Sequence, residues 1–211
     1  MSSTEIVFGT GNRHKGIELA GLLAPAGIVL KTLADFPASA TIIEDGDSFR
    51  ENAIKKAVGR ARFLHRWTIA EDSGICVEEL NGGPGIHSAR FAGPDCDDEK
   101  NNDLLLEKLG DLPLERRKAW YTCYMVLADP EGNIRIETEG RCYGRILYKR
   151  TGTNGFGYDP LFEVVEYHQT FGQLPPEVKQ KISHRAQAAR QLLPRLQELI
   201  ASGEITKQVK E

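Results

Sequence analysis

Glu71 and Asp72 are adjacent carboxylates followed at once by Ser73 and Gly74, and they head the stretch Ala70–Gly93, AEDSGICVEELNGGPGIHSARFAG. Two acids at the mouth of a short apolar segment, with a hydroxyl and a glycine beside them, suit a metal ion and a phosphate. By itself Asp72-Ser73-Gly74 also spells a turn, because all three residue types favour turn geometry. Its weight as a site comes from polar clusters elsewhere in the chain. Glu44 stands in a loop just ahead of a helix start, where it reads either as a solvated acid or as a metal ligand. Asn52 and Lys56 follow four residues apart, a spacing that sets both on one helical face, which reads either as a solvated face or as two groups reaching one ligand. Gly9-Thr10-Gly11-Asn12 separates an apolar run from a helical pattern, with Lys15 in the first turn. Orphan N–H groups and the positive end of the helix dipole favour an anion there. The spacing matches neither a Walker A loop nor the G-x-G-x-x-G dinucleotide fingerprint. Late in the chain, TGTNGFGYD (Thr151–Asp159) joins glycines to Phe156, Tyr158 and Asp159. Its two aromatics read as core plugs or as a base-stacking surface.

The elements that must hold these groups alternate in type. Glu5–Phe8 reads as a strand, about Arg13–Ala24 as a helix, Ile28–Thr32 as a strand and Ala34–Ala40 as a loop. Ser48 and Glu51 form a capping-box pattern opening a helix that runs to about His65. Thr68–Ala70 and Ile75–Val77 are extended, and Asp97–Leu109 is a helix closed by Gly110. Lys118–Asp129 and Ile134–Arg145 form a long hairpin, its first strand apolar on both sides and so central, its second cleanly alternating. Pro160–Val164 returns to strand, a polar connection carries Pro175-Pro176, and Ser183-His184-Arg185 opens a last helix that Pro194 should kink or break. This order predicts an α/β protein with a mixed sheet, in one domain over residues 1–202, with a fraying polar tail over 203–211.

At 211 residues, 40% hydrophobic and 27% charged, the chain is long enough for a substantial core and has ordinary globular composition. A net charge of -3 argues against a long nucleic-acid surface, but a small phosphorylated ligand needs only a few local cations. Cys76, Cys96, Cys123 and Cys142 are scattered without a C-x-x-C pair, which argues against structural zinc. The first residues lack the pattern of a signal peptide and no apolar run approaches ~18 residues. A reduced, cytoplasmic protein without a membrane span is expected.

Taken together, TGNRHK (Thr10–Lys15), SFRENAIKKA (Ser48–Ala57), AEDSG with PGIHSAR (Ala70–Gly74, Pro84–Arg90), GFGYDPLF (Gly155–Phe162) and SHR (Ser183–Arg185) resemble the Ham1/RdgB family of inosine triphosphate pyrophosphatases. The motifs occur in the family's order over nearly the whole chain. There are departures: Glu71 stands where bacterial members usually carry Asp, His87 replaces the tyrosine of PGIYSAR, and Pro194 is atypical. The resemblance implies a long twisted mixed β-sheet with flanking helices, forming two lobes around a central cleft, and a homodimer. It implies Mg2+-dependent hydrolysis of ITP, dITP and XTP to the monophosphate and pyrophosphate, with no nucleic acid or membrane as partner. Glu44 and Asp72 become the expected metal ligands, with Glu71 as a supporting carboxylate and Asp72 as general base. Thr10, Gly11, Asn12, Arg13, His14 and Lys15 become the triphosphate loop, helped by Ser73 and Lys56. Phe156, Gly157, Tyr158, Asp159, Lys179, His184 and Arg185 become the base pocket, where His184 and Arg185 would donate to a 6-oxo group. The rivals are a Maf-like nucleoside triphosphate pyrophosphatase and a non-catalytic nucleotide-binding protein.

Overall fold

The computed structural model describes residues 4–36 and 41–206; positions 37–40 of the expected loop and 207–211 of the expected tail lie outside the described residues. Short apolar runs form β1 (Thr4–Phe8) and β2 (Ile28–Thr32). Between them runs α1 (Arg13–Leu23), opened by Asn12, whose side chain accepts the Lys15 N–H. β1 pairs in parallel with β2 and with β3 (Thr68–Val77). Parallel neighbours need a crossover, and α1 supplies the first. α2 (Phe49–Leu64) starts at Ser48, whose hydroxyl accepts the Glu51 N–H as the capping pattern predicts. Its Ala53, Ala57 and Ala61 recur every fourth residue and bury against Ala70, Val126 and Ala128, small side chains that let helix and sheet approach closely.

α3 (Asp98–Leu109) is capped by Asp97 and closed by Gly110 at φ 47°. The hairpin strands are β4 (Lys118–Ala128) and β5 (Ile134–Ile146). Asp129 closes their turn by accepting the Glu131 and Asn133 N–H groups. β6 (Phe162–Val164), β7 (Gln169–Thr170), α4 (Pro176–Ile182) and α5 (His184–Ala201) complete the chain. Among the described residues seven strands make one open mixed sheet in the order β2-β1-β3-β4-β5-β6-β7, so the doubly apolar β4 is central as expected.

The chain divides into two compact units. One comprises Met1–Asp72, Cys123–Gly140 and Arg185–Glu211; its main core joins Phe8, Leu19, Leu23, Ile69, Met125, Leu192 and Leu196. The other comprises Ser73–Thr122 and Arg141–His184, with Ile75, Leu105, Tyr121, Ile146, Phe162 and Phe171 at its centre.

Four local expectations change. Asp72-Ser73-Gly74 is not a turn: β3 runs unbroken through it. The turn reading fails because Gly74 packs where no side chain fits, an added Cβ lying 2.3 Å from Ser88 Oγ and 2.4 Å from the Gly85 carbonyl. Ser88 in turn accepts the Ile75 N–H at 2.9 Å, so the PGIHSAR segment clamps β3 straight. Second, the polar connection after Pro175 contains α4, with Pro176 at its first turn, where a missing N–H is harmless. Third, α5 continues through Pro194, held on both sides by the buried Leu192 and Leu196. Fourth, the tail does not fray at once. Gly203 turns at φ 82°, and Ile205 buries in the core of its unit while donating its N–H to the Leu199 carbonyl.

Candidate active site

Successive residues of a strand face opposite sides of a sheet, so Glu71 and Asp72 diverge. Glu71 is 1% exposed. Its carboxylate accepts Arg185 Nε at 2.9 Å and Nη2 at 2.8 Å, stands 3.3 Å from Lys15 Nζ, and accepts the Cys123 thiol at 2.8 Å. Arg185 also pairs with Glu18. Burial alone would raise the pKa of Glu71, but Arg185 and Lys15 outweigh it and hold the carboxyl well below its usual range. Burial, reinforced by Glu71, pushes the Cys123 thiol far up, so it stays a neutral donor.

Asp72 meets a different set. Lys56 Nζ lies 2.7 Å from Asp72 Oδ1 and 2.8 Å from Glu44 Oε2, so one ammonium gathers two carboxylates. Asn52 Nδ2 donates to Asp72 at 3.4 Å, while its Oδ1 accepts the Gly46 N–H at 2.8 Å and ties the Glu44 loop to α2. Burial is the largest influence on Asp72 and pushes its pKa up, against the pull of Lys56. The helical spacing of Asn52 and Lys56 thus brings both to Asp72.

The loop after β1 is partly engaged within the protein. The Thr10 N–H donates to the Phe8 carbonyl and the Asn12 N–H to Thr10 Oγ1, which removes two of the three amides expected to bind phosphate. Gly11, Asn12, Arg13 and His14 are exposed, and Lys15 is half-buried beside Glu71. Thr10–Arg13 also rim a pocket of about 450 Å³ that continues past Gly16, Ile17 and Thr32–Ala34.

In the second unit, Asp159 is the hub. It accepts Lys179 Nζ at 2.5 Å, the Phe156 N–H at 2.9 Å and the Tyr121 hydroxyl at 3.4 Å. Lys179 Nζ also lies 4.6 Å from the Phe156 ring centroid, a cation–π contact. The loop closes this tightly because Gly155 sits at φ 78°, where a Cβ would fall 2.0 Å from Asp159 Oδ2. Gly157 is pinned at both ends, its N–H to Asp98 and its carbonyl to Asn102. Tyr158 is buried and donates its hydroxyl to the Ser88 carbonyl at 2.7 Å. That is the core-plug alternative of the two readings. His184 stacks on Tyr121 with centroids 4.7 Å apart and planes 10° from parallel.

The family resemblance groups Glu71 with Glu44 and Asp72 as metal carboxylates, and it pairs Arg185 with His184 as base donors. The structure instead puts Glu71 and Arg185 together, because adjacent strand positions and adjacent helix positions point different ways. Ser73 is half-buried on β3. The contacts of Tyr121 with Asp159 and of Asp98 and Asn102 with Gly157 were not legible in the sequence, since an apolar strand and a polar helix account for these residues equally well. Among the described residues no three acids, histidines or cysteines converge as a metal cage. Glu44 and Asp72 nevertheless offer hard oxygen donors focused on one cation, and Mg2+ commonly binds one or two carboxylates and completes its shell with water and substrate phosphate. The donor set fits that ion.

The Ham1 family model matches residues 6–195. A dITP/XTP pyrophosphatase of Rhodopirellula baltica is 47% identical over 198 residues, 94% of this chain and 95% of the relative. One of Desulforamulus reducens is 43% identical over 95% of this chain and all (100%) of its own. The solved Ham1 protein of Staphylococcus aureus superposes with a TM-score of 0.82 at 35% identity, covering 93% of this chain and 100% of that one. A HAM1 protein of Coxiella burnetii does so with 0.83 at 35%, covering 92% and 99%.

Proposed function

This chain belongs to the Ham1 family, and from that premise we propose that it hydrolyses non-canonical purine nucleoside triphosphates (ITP, dITP and XTP) to the monophosphate and pyrophosphate, clearing them from the nucleotide pool. The name shared by relatives aligned over nearly their whole length supports the reaction. The observation that carries the site is the single Lys56 ammonium joining Asp72 and Glu44.

Glu44 and Asp72 would hold Mg2+, whose chemistry is to neutralise phosphate oxygens and acidify a bound water. Lys15 and Lys56 would add two fixed positive charges for the triphosphate, and charge placed in advance needs no reorganisation as the bond breaks. The reaction joins a water oxygen to the α-phosphorus and breaks its bond to the bridging oxygen, which leaves with pyrophosphate. Asp72 is the proposed acceptor of the water proton, on a carboxylate oxygen. Its raised pKa makes it a better base than an ordinary aspartate. Phe156, Asp159, Lys179 and His184 are proposed to read the base, Phe156 by stacking and His184 as donor to the 6-oxo group. Such a donor accepts hypoxanthine but meets another donor on adenine, a mismatch that discriminates strongly. The cytoplasmic homodimer belongs to the same proposal and rests on the family alone.

The test is hydrolysis of ITP against ATP and GTP, with and without Mg2+, assaying pyrophosphate and orthophosphate separately and including Asp72→Asn. Mg2+-dependent IMP and pyrophosphate, lost in the variant and weak on ATP and GTP, is the expected result. Orthophosphate as the first product would place cleavage at the wrong bond, and binding without turnover would leave a nucleotide-binding protein.

A further inference from the structure

Asn52, Lys56 and Arg60 recur every fourth residue on α2, and all three are buried. Arg60 is 8% exposed. Long side chains on a helix lean toward its N-terminus, which carries the Arg60 stem up the face that also holds Lys56. At its end an Nη1 N–H donates to the carbonyl of Gly9, the residue directly before Thr10. Gly9 makes that passage possible. A Cβ there would lie 3.0 Å from Arg60 Cδ, 3.3 Å from Thr68 Cγ2 and 3.4 Å from Ala70 Cβ.

A guanidinium has five N–H donors. Among the described residues the Gly9 carbonyl is the one acceptor given to Arg60, and its Nε is buried without a partner. Glu44 attracts it only from beyond hydrogen-bond range, and burial lowers its pKa. Removing a cation from water with so few partners is costly. Local rules broken in this way are expected at functional or strained sites. An anion would complement its charge, and the loop that Arg60 grips is the one whose exposed residues lead into Lys15.

We propose that Arg60 is a positioning residue for the polyphosphate chain: it fixes the Gly9–Asn12 turn through the Gly9 carbonyl and adds positive charge where phosphate oxygens dock. This rests on the phosphate-loop reading above and extends it to a residue three positions beyond the SFRENAIKKA motif.

Inorganic triphosphate is the probe, with affinity measured by calorimetry and melting temperature by scanning, on the whole chain, wild type against Arg60→Met, Arg60→Lys and Lys15→Met. Arg60→Met should bind about tenfold or more weakly while melting at the same temperature or higher, because a poorly partnered buried charge is gone. Arg60→Lys, which keeps the charge and loses the fork, should fall between. With ITP the loss should appear in KM, kcat changing by no more than about twofold. Wild-type affinity in Arg60→Met, or a lower melting temperature with unchanged affinity, overturns the proposal and leaves a structural cation. If Arg60→Met does not fold, Arg60→Lys decides by the same two readings. Wild type failing to bind triphosphate at all sinks the phosphate-loop reading itself; wild type binding and only Lys15→Met weakening sinks Arg60 alone.

Discussion

The two faces of β3 at Glu71 and Asp72 differ by one residue and carry the same functional group, yet they have opposite electrostatics. On one face Glu71 has two cations and a thiol around a single carboxylate. On the other, Asp72 shares one ammonium with Glu44. Both are buried, so both are desolvated. Surplus compensation drives the Glu71 pKa down, and insufficient compensation lets that of Asp72 rise. A saturated buried carboxylate is part of the frame. An undersupplied one is a candidate for chemistry, and Asp72 is proposed above to take a proton and a cation.

The largest expected effect follows from breaking the saturated face. Glu71→Gln takes from the buried Arg185 the fully buried one of its two carboxylate partners and should cost about 3–5 kcal/mol of folding stability, read from urea unfolding. A loss under about 1 kcal/mol would mean that Glu18 alone satisfies Arg185. Asp72→Asn should do the reverse. We expect turnover to fall by about 10²–10⁴ with stability unchanged or improved, and a melting loss like that of Glu71→Gln would erase the contrast between the faces.

Acidity separates the two groups by sign. Glu71 has a folded pKa below its ordinary 4.5, so its contribution is complete above that value and is lost as pH falls through the folded pKa. Asp72 has a folded pKa above its ordinary 3.8, so its contribution is complete below that value and is lost as pH rises through the folded pKa. Urea midpoints from about pH 3 to 7 should therefore show Asp72→Asn gaining on wild type as pH rises and Glu71→Gln losing less to acid than wild type. Parallel curves for all three proteins would contradict both assignments. The smallest effect belongs to Lys15→Met. Its ammonium is partly solvated and stands 3.3 Å from Glu71, so we expect no more than about 1 kcal/mol of stability beside a clear loss of triphosphate affinity. A large stability loss would move Lys15 from the ligand to the frame.

Much of this arrangement was legible in advance. Ser48 with Glu51 marked the start of α2, alternation marked β5, and the doubly apolar run marked β4 as central. α4 was hidden because its seven residues give too short a pattern to register as periodic. The straight course of β3 was hidden for another reason: Gly74 lies against Ser88 and Gly85, which come from a later segment and leave no room for a side chain. Spacing put Asn52 and Lys56 on one helical face, and the family resemblance added Glu44 and Asp72; the structure brings these four side chains together. Arg60 lay on the same helical face but outside the motif, and nothing local distinguishes it from a solvated arginine.

The sequence by itself determined the elements, the α/β class and the inventory of acids and cations, because periodicity, caps and glycine turns act over a few residues. Which carboxylate is held low by surplus cations and which is pushed up by burial was decided only in three dimensions. Arg185 comes from 114 residues beyond Glu71 and Lys56 from 16 before Asp72, and no local pattern records which charges burial will bring together. The character of each acid is set by its neighbours across the fold, since desolvation and Coulomb attraction depend on distance in space rather than along the chain.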